Sequence, residues 1–249
     1  MSKRHADKCK PQVSRVDDRL TLCFDELKIQ SEMSLDAPDE LVLGYTRTMM
    51  GFLLFCPQPR SIAMIGLGGG SLLKYCYAHL PDAVLTAIEI NPDVIALRER
   101  FFIPPDDERL HVICADGAQF LRHAGQYDVL IVDGFTAQGQ SQALSTQRFY
   151  NDCHACLKND GILVVNLSDL ELGFEPLIAR IHHSFNHSVR VIDAEDSTNK
   201  IVFAGKGGVL DVSYEQLVTR LMQLTEHLPL KLFRTLQALH TKREHAPAG

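Results

Sequence analysis

Five short apolar runs follow one another at intervals that each leave room for a helix: Ile62-Ala-Met-Ile65, Val84-Leu-Thr-Ala-Ile88, His111-Val-Ile-Cys114, Val129-Leu-Ile-Val132 and Ile162-Leu-Val-Val165. Near-continuous apolar runs of this length suit strands buried on both faces. The segments between them, Ser71 to Leu80, Asp93 to Phe102, Gly117 to His123 and Thr146 to Leu157, read as helices, so right-handed βαβ units should wind into a parallel sheet. Val189 to Asp193 and Lys200 to Ala204, separated by the polar turn Glu195-Asp-Ser-Thr-Asn199, predict an antiparallel hairpin at the sheet edge. Tyr214 to Leu224 is expected to form a terminal helix. The predicted class is α/β, a mostly parallel seven-stranded sheet with an antiparallel edge strand.

Ahead of this rhythm, Leu20, Leu22, Phe24, Leu27 and Ile29 alternate with polar residues around Asp25-Glu26, which suggests a small β-hairpin. Leu41 to Cys56 reads as a buried helix ended by Pro57 and Pro59. Residues 1 to about 15, and the tail from Thr241 to Gly249, are polar and expected to be loose. The division that results is residues 1–40 as tail and hairpin region, 41–240 as the main domain and 241–249 as a flexible tail.

Composition narrows the function. The 249 residues are 45% apolar and 22% charged, with a net charge of -6, which argues against a nucleic-acid partner that needs a basic field. No run of about 18 apolar residues occurs, so no membrane span is expected and a cytoplasmic protein is. Seven scattered cysteines do not form a disulfide framework, and Cys153-His154-Ala155-Cys156 lies in a helix-like run without a second ligand pair, so no metal is expected. Asp193, Glu195 and Asp196 read as a solvated acidic turn, and His182, His183 and His187 as surface residues.

The chemistry concentrates at strand ends. After the first strand stands Ile65-Gly66-Leu67-Gly68-Gly69-Gly70-Ser71, followed by a helix, the place where a doubly wound sheet binds a nucleotide-like ligand. The second strand ends in Glu89, about 20 residues after Gly70, where a carboxylate can accept from both hydroxyls of a ribose. Ser71 occupies the position where a dinucleotide fingerprint would have its last glycine; the spacing of Gly66, Gly68 and Gly70 suits an adenosyl sulfonium ligand instead. Asp116-Gly117 and Asp133-Gly134 end the third and fourth strands. Asp116 reads either as a helix N-cap or as an acceptor for an adenine amino group. Asp133 reads as a general base, or as a cap for the loop Gly134 to Leu144, which itself reads as a lid or as a plain connection. Phe149 and Tyr150 are expected in the core.

The blocks Met64-Ile-Gly-Leu-Gly-Gly-Gly-Ser, Ala87-Ile-Glu-Ile-Asn-Pro-Asp-Val, Cys114-Ala-Asp-Gly-Ala-Gln-Phe-Leu, Tyr127-Asp-Val-Leu-Ile-Val-Asp and Phe149-Tyr150 resemble the spermidine synthase family of polyamine aminopropyltransferases, over roughly residues 20 to 205. The resemblance implies a methyltransferase-type Rossmann fold behind an N-terminal β-hairpin domain, a possible homodimer, and aminopropyl transfer from decarboxylated S-adenosylmethionine to a small amine. It implies donor contacts from Gln30, Gly66, Gly68, Gly70, Glu89, Ile90, Asp116 and Gly117, with Asp133 as the proton acceptor.

The acceptor side departs from the family pattern. Thr136 stands where the family's second aspartate holds the diamine, Gly69 where an aspartate faces the aminopropyl chain, and Gly44-Tyr-Thr-Arg-Thr-Met49 replaces the Tyr-His-Glu segment. A diamine taken into a pocket without carboxylates would be left uncompensated. The expectation is therefore an amine acceptor other than putrescine, and a donor that is either S-adenosylmethionine or its decarboxylated form. An S-adenosylmethionine-dependent methyltransferase and a nucleoside-binding protein without turnover are the alternatives.

Overall fold

The computed structural model describes residues 10–24, 29–136, 139–168 and 173–244. The chain begins with β1 (Gln12–Val16), β2 (Arg19–Cys23) and β3 (Ile29–Ser34), then α1 (Gly44–Met49) running into a 3-10 turn at Met50–Leu54. There follow β4 (Ser61–Ile65), α2 (Ser71–His79), β5 (Val84–Glu89), α3 (Pro92–Ile95), β6 (Leu110–Cys114), α4 (Gly117–Leu121) and β7 (Tyr127–Val132). A short hairpin, β8 (Phe135–Thr136) and β9 (Gly139–Gln140), leads to α5 (Gln147–Ala155) and the long β10 (Leu157–Ser168). Finally come α6 (Phe174–Ser184), β11 (Val189–Asp193), β12 (Asn199–Gly205), α7 (Tyr214–His227) and α8 (Phe233–Glu244).

The seven-stranded sheet has the order β11-β12-β10-β7-β4-β5-β6, and β12 runs antiparallel to both of its neighbours. The other five paired strands, β10, β7, β4, β5 and β6, are parallel. Their side chains alternate between two apolar cores: Ile62, Met64, Val129, Ile131, Ile162 and Val164 point to one face, Ala63, Ile65, Leu130, Val132, Leu163 and Val165 to the other. Cover on both faces is why these strands read as unbroken apolar runs. The predicted edge hairpin is β11 and β12, and Phe149 and Tyr150 are fully enclosed in the second core.

Three expectations are corrected. The N-terminal region is a three-stranded antiparallel sheet rather than a hairpin, because Gln12–Val16, expected to be loose, pairs in register with β2 through a turn at Asp17. The backbone of β2 supplies the missing hydrogen bonds that the polar side chains of β1 gave no sign of. The Asp25-Glu26 turn lies outside the described residues. The helix expected at Asp93 to Phe102 is regular only over Pro92–Ile95, where Asn91 caps it by accepting from the Asp93 N–H at 3.0 Å. α8 was not foreseen, and it closes the first core with Leu236 and Leu239.

In parallel sheets, ligands bind where the strand order reverses, outside the carboxyl ends. Here that point lies between β4 and β7. The Asp133 N–H donates to the Ile65 carbonyl at 2.9 Å and the Gly66 N–H to the Ile88 carbonyl at 2.9 Å, so three strand ends are locked together. Gly66 sits at φ +94°, and a Cβ there would lie 2.2 Å from the Asp133 carbonyl oxygen. Gly66→Ala should destabilise the protein by about 3 kcal/mol or more, combining backbone strain with a clash that only main-chain movement relieves. Gly125→Ala, at an open position, serves as control. Urea denaturation of both variants checks this, and equal stability of the two would refute it.

Candidate active site

Glu89 ends β5 with its residue only 8% exposed. Its carboxylate accepts from the Leu67 N–H at 3.0 Å through Oε2 and from the Asn91 N–H at 2.8 Å through Oε1. It therefore faces the glycine turn and fixes the main chain of Leu67, while a carboxylate oxygen retains capacity for a further donor. Ile90, beside it, is more than half exposed. Asp116 is the N-cap of α4: its Oδ1 accepts from Ala118 N–H at 2.8 Å and Gln119 N–H at 3.1 Å. Capping leaves Oδ2 unused by the helix, so this role does not exclude a ligand contact.

The N-terminal sheet closes over the glycine turn. Ser31 Oγ lies 3.3 Å from Ser71 Oγ, and a Cβ built on Gly69 would come within 2.6 Å of Ser31 Oγ and 2.8 Å of the Phe101 ring. The volume that a larger residue at position 69 would occupy is thus filled by a hydroxyl and an aromatic ring. Beneath it, the buried Lys74 ammonium donates to the Phe101 carbonyl and to Met33 Sδ, both at 2.8 Å, tying α2 to β3. Burial pulls its pKa down to about 8. Gln30, on β3, enters the site through its main chain: its carbonyl oxygen lies 3.4 Å from the Tyr45 hydroxyl.

Among the described residues, Asp133 is bonded by side chains from other elements. Asn166 Nδ2 donates to its Oδ1 at 2.9 Å, the Tyr45 hydroxyl donates to the same carboxylate, and Asn199 Nδ2 donates to Asn166 Oδ1 at 2.9 Å. Its surface is only partly closed to solvent, yet the packing around it is dense enough that desolvation pushes its carboxyl above the usual range, against the pull of Asn166 and Tyr45. Burial and the nearby Asp133 charge together push the Tyr45 phenol well above its usual value. Among the described residues, the groups bonded to Asp133 are polar but uncharged, which suits a carboxylate that is to take a proton rather than hold an ion pair.

Tyr45 is held in place from behind. Arg47, two residues further along and so on the opposite side of α1, donates to the Leu41 and Val42 carbonyls at 2.8 Å and pairs with Glu195 at 3.3 Å and Asp196 at 3.1 Å. The Glu195 N–H donates to Thr48 Oγ1 at 3.0 Å. The acidic turn is therefore not simply solvated: the Glu195 side chain is 11% exposed and folds onto α1.

Sequence reasoning missed Tyr45, Asn166 and Asn199. Asn166 carried a signal, a polar residue closing the apolar run Ile162 to Val165 at the carboxyl end of a central strand. Tyr45 and Asn199 carried none, because their roles follow from how α1 and β12 dock. Cys153 and Cys156 are buried, and burial raises both thiols, Cys156 to about 11. Among the described residues no group of His, Cys, Asp and Glu side chains could hold a metal ion, and no helix is long and apolar enough to cross a membrane.

The family model for the spermine/spermidine synthase domain matches residues 42–194. The chain belongs to the spermine/spermidine synthase family. A polyamine aminopropyltransferase of Neisseria meningitidis serogroup A is 38% identical over 216 residues, covering 85% of this chain and 81% of the relative. A spermidine synthase solved in complex with the transition-state analogue AdoDATO superposes with a TM-score of 0.67 at 21% identity, covering 94% of this chain and 87% of that one. Human methyltransferase-like protein 13, solved with SAH, gives 0.66 at 22% identity over 83% of this chain and 95% of its own. The fold is thus the methyltransferase-type Rossmann fold, and the family is one of transferases.

A carboxyl whose folded pKa is raised favours the fold only below its unfolded value of about 4, and that contribution is lost as pH climbs through the folded value. At neutral pH Asp133 accordingly costs stability. Asp133→Asn keeps the shape and can still accept from Asn166, so it should raise the melting temperature at neutral pH, by about 2–4 °C per kcal/mol relieved, with the gain vanishing towards pH of about 4. Calorimetric melts across that range test this; a lower melting temperature at neutral pH would contradict it.

Proposed function

We propose that this protein transfers the chain attached to the sulfonium of an S-adenosyl donor, an aminopropyl group from decarboxylated S-adenosylmethionine or the corresponding carboxylate-bearing group from S-adenosylmethionine, to a small amine acceptor other than putrescine. The observation that carries the reading is a desolvated carboxylate at the strand-order reversal, Asp133, set beside the glycine turn and, among the described residues, bonded by neutral groups. The donor site would comprise Gly66, Gly68 and Gly70 for close approach of the main chain, Glu89 for the ribose, Asp116 and Gly117 for the adenine, with Gln30 and Ile90 at its margins. Asp133 would take the proton of the incoming ammonium, so that the nitrogen lone pair can attack the carbon attached to sulfur. The C–N bond forms as the C–S bond breaks, and neutral methylthioadenosine leaves. Little covalent work falls to the protein, which holds donor and amine in line.

The described surroundings of Asp133, Tyr45, Asn166 and Asn199, offer no second carboxylate for a distant ammonium, which favours an acceptor whose far end is uncharged. The neutral Ser31 and Phe101 above Gly69 present no acid to the donor's tail, so S-adenosylmethionine and its decarboxylated form should both bind.

Calorimetric titration with the two donors, followed by product analysis against a panel of amines, tests the reading. Both donors should bind, methylthioadenosine should be released with a monoamine or other non-putrescine acceptor, and Asp133→Asn should cut turnover by about 10²–10⁴ while leaving donor affinity little changed. A strong preference for the decarboxylated donor refutes the donor argument, and efficient turnover of putrescine refutes the acceptor argument. Release of adenosylhomocysteine would make the protein a methyltransferase instead.

A further inference from the structure

Asp133 is reached by a hydrogen-bond chain that starts on the antiparallel strand. Asn199, the first residue of β12, donates from Nδ2 to Asn166 Oδ1, and Asn166 donates from Nδ2 to Asp133 Oδ1, each at 2.9 Å. Asn166 is 3% exposed. A side-chain amide has a donor end and an acceptor end of nearly equal size, so its orientation is set by its partners. An ionised Asp133 can only accept, which requires the donor end of Asn166. That orientation turns the acceptor end towards β12, where only a donor stabilises it. Were Asn199 absent, Asn166 could rotate by half a turn and present its oxygen to the carboxylate.

The geometry points to Asn199 as a positioning residue that acts through Asn166 to keep an N–H on Asp133, so that the carboxylate is held ionised and aimed at the incoming amine. The aim at an amine rests on the function proposed above; the hold on ionisation does not. The groups that face Asp133 from the elements packed against it are the Tyr45 hydroxyl of α1, the Asn166 amide of β10 and the main chain of Ile65 and Gly66 after β4. Charged side chains on neighbouring elements have partners of their own: Lys200 pairs with Asp193, Arg47 with Glu195 and Asp196, and Glu89 accepts from the Leu67 and Asn91 N–H groups. Among the described residues Tyr45 is the titratable group bonded to Asp133, and its phenol, pushed well above its usual value, stays protonated throughout the range in question.

Two variants separate positioning from plain support. Asn199→Leu removes the donor at similar volume, and Asn199→Asp removes it at the same shape, so one of them remains usable should the other fail to fold. The Asp133 side-chain carboxyl is followed by carbon-13 resonance in aspartate-labelled protein, assigned by its loss in Asp133→Asn, alongside the pH profile of kcat/KM. Both variants should titrate higher than the parent, by about one pH unit for the loss of a hydrogen bond to a charged group. The acid limb of the activity profile should move by the same amount, and activity should recover on the alkaline side. An unchanged Asp133 titration in both variants overturns the proposal, even if melting temperature or turnover falls, since a structural tie alone would do that. A shifted titration in a protein that transfers no aminopropyl group to any amine upholds the hold on Asp133 and removes the function proposed for it.

Discussion

The site depends on main chains meeting almost in contact where the strand order reverses. β4 and β7 are neighbours, but the chain leaves them on opposite sides of the sheet, so the turn after β4 and the carboxyl end of β7 must share one narrow space. Gly66 makes that possible by letting its Cα approach the Asp133 carbonyl to a distance no side chain allows. The same approach places an acidic side chain beside the glycine turn. Geometry and chemistry are therefore set by one steric condition, the absence of a Cβ.

Around that junction the protein uses neutral polar groups where an ion pair would be the simpler way to stabilise a carboxylate. Arg47, on the helix that carries Tyr45, and Lys200, next to Asn199, are each paired with other carboxylates. A cation on Asp133 would fix it as an anion of low basicity. Hydrogen bonds from an amide and a phenol compensate part of the desolvation and leave the group basic enough to accept a proton.

What could be read from the sequence was what repeats or stands at a strand end. The buried strands announced themselves because cover on both faces demands unbroken apolar residues, and Glu89, Asp116 and Asp133 stood out because each follows such a run at the carboxyl edge of the sheet. The polar β1 gave no such sign, since it is paired on one side only and largely solvated. α8 was hidden by a tail whose charges masked Leu236 and Leu239. Tyr45, Asn166 and Asn199 come together only through tertiary docking, and no spacing along the chain encodes that.

Because β12 is inserted between β10 and β11, the environment of the acidic group is assembled from residues as far apart as 45 and 199, with the last of them close to the end of the sheet. Pairings of this kind form late, after long loops have closed. A nascent chain still lacking β12 would hold the glycine turn and the first four parallel strands yet expose the apolar edge of β10. The protein thus becomes competent for chemistry only at the moment when its most aggregation-prone edge is covered.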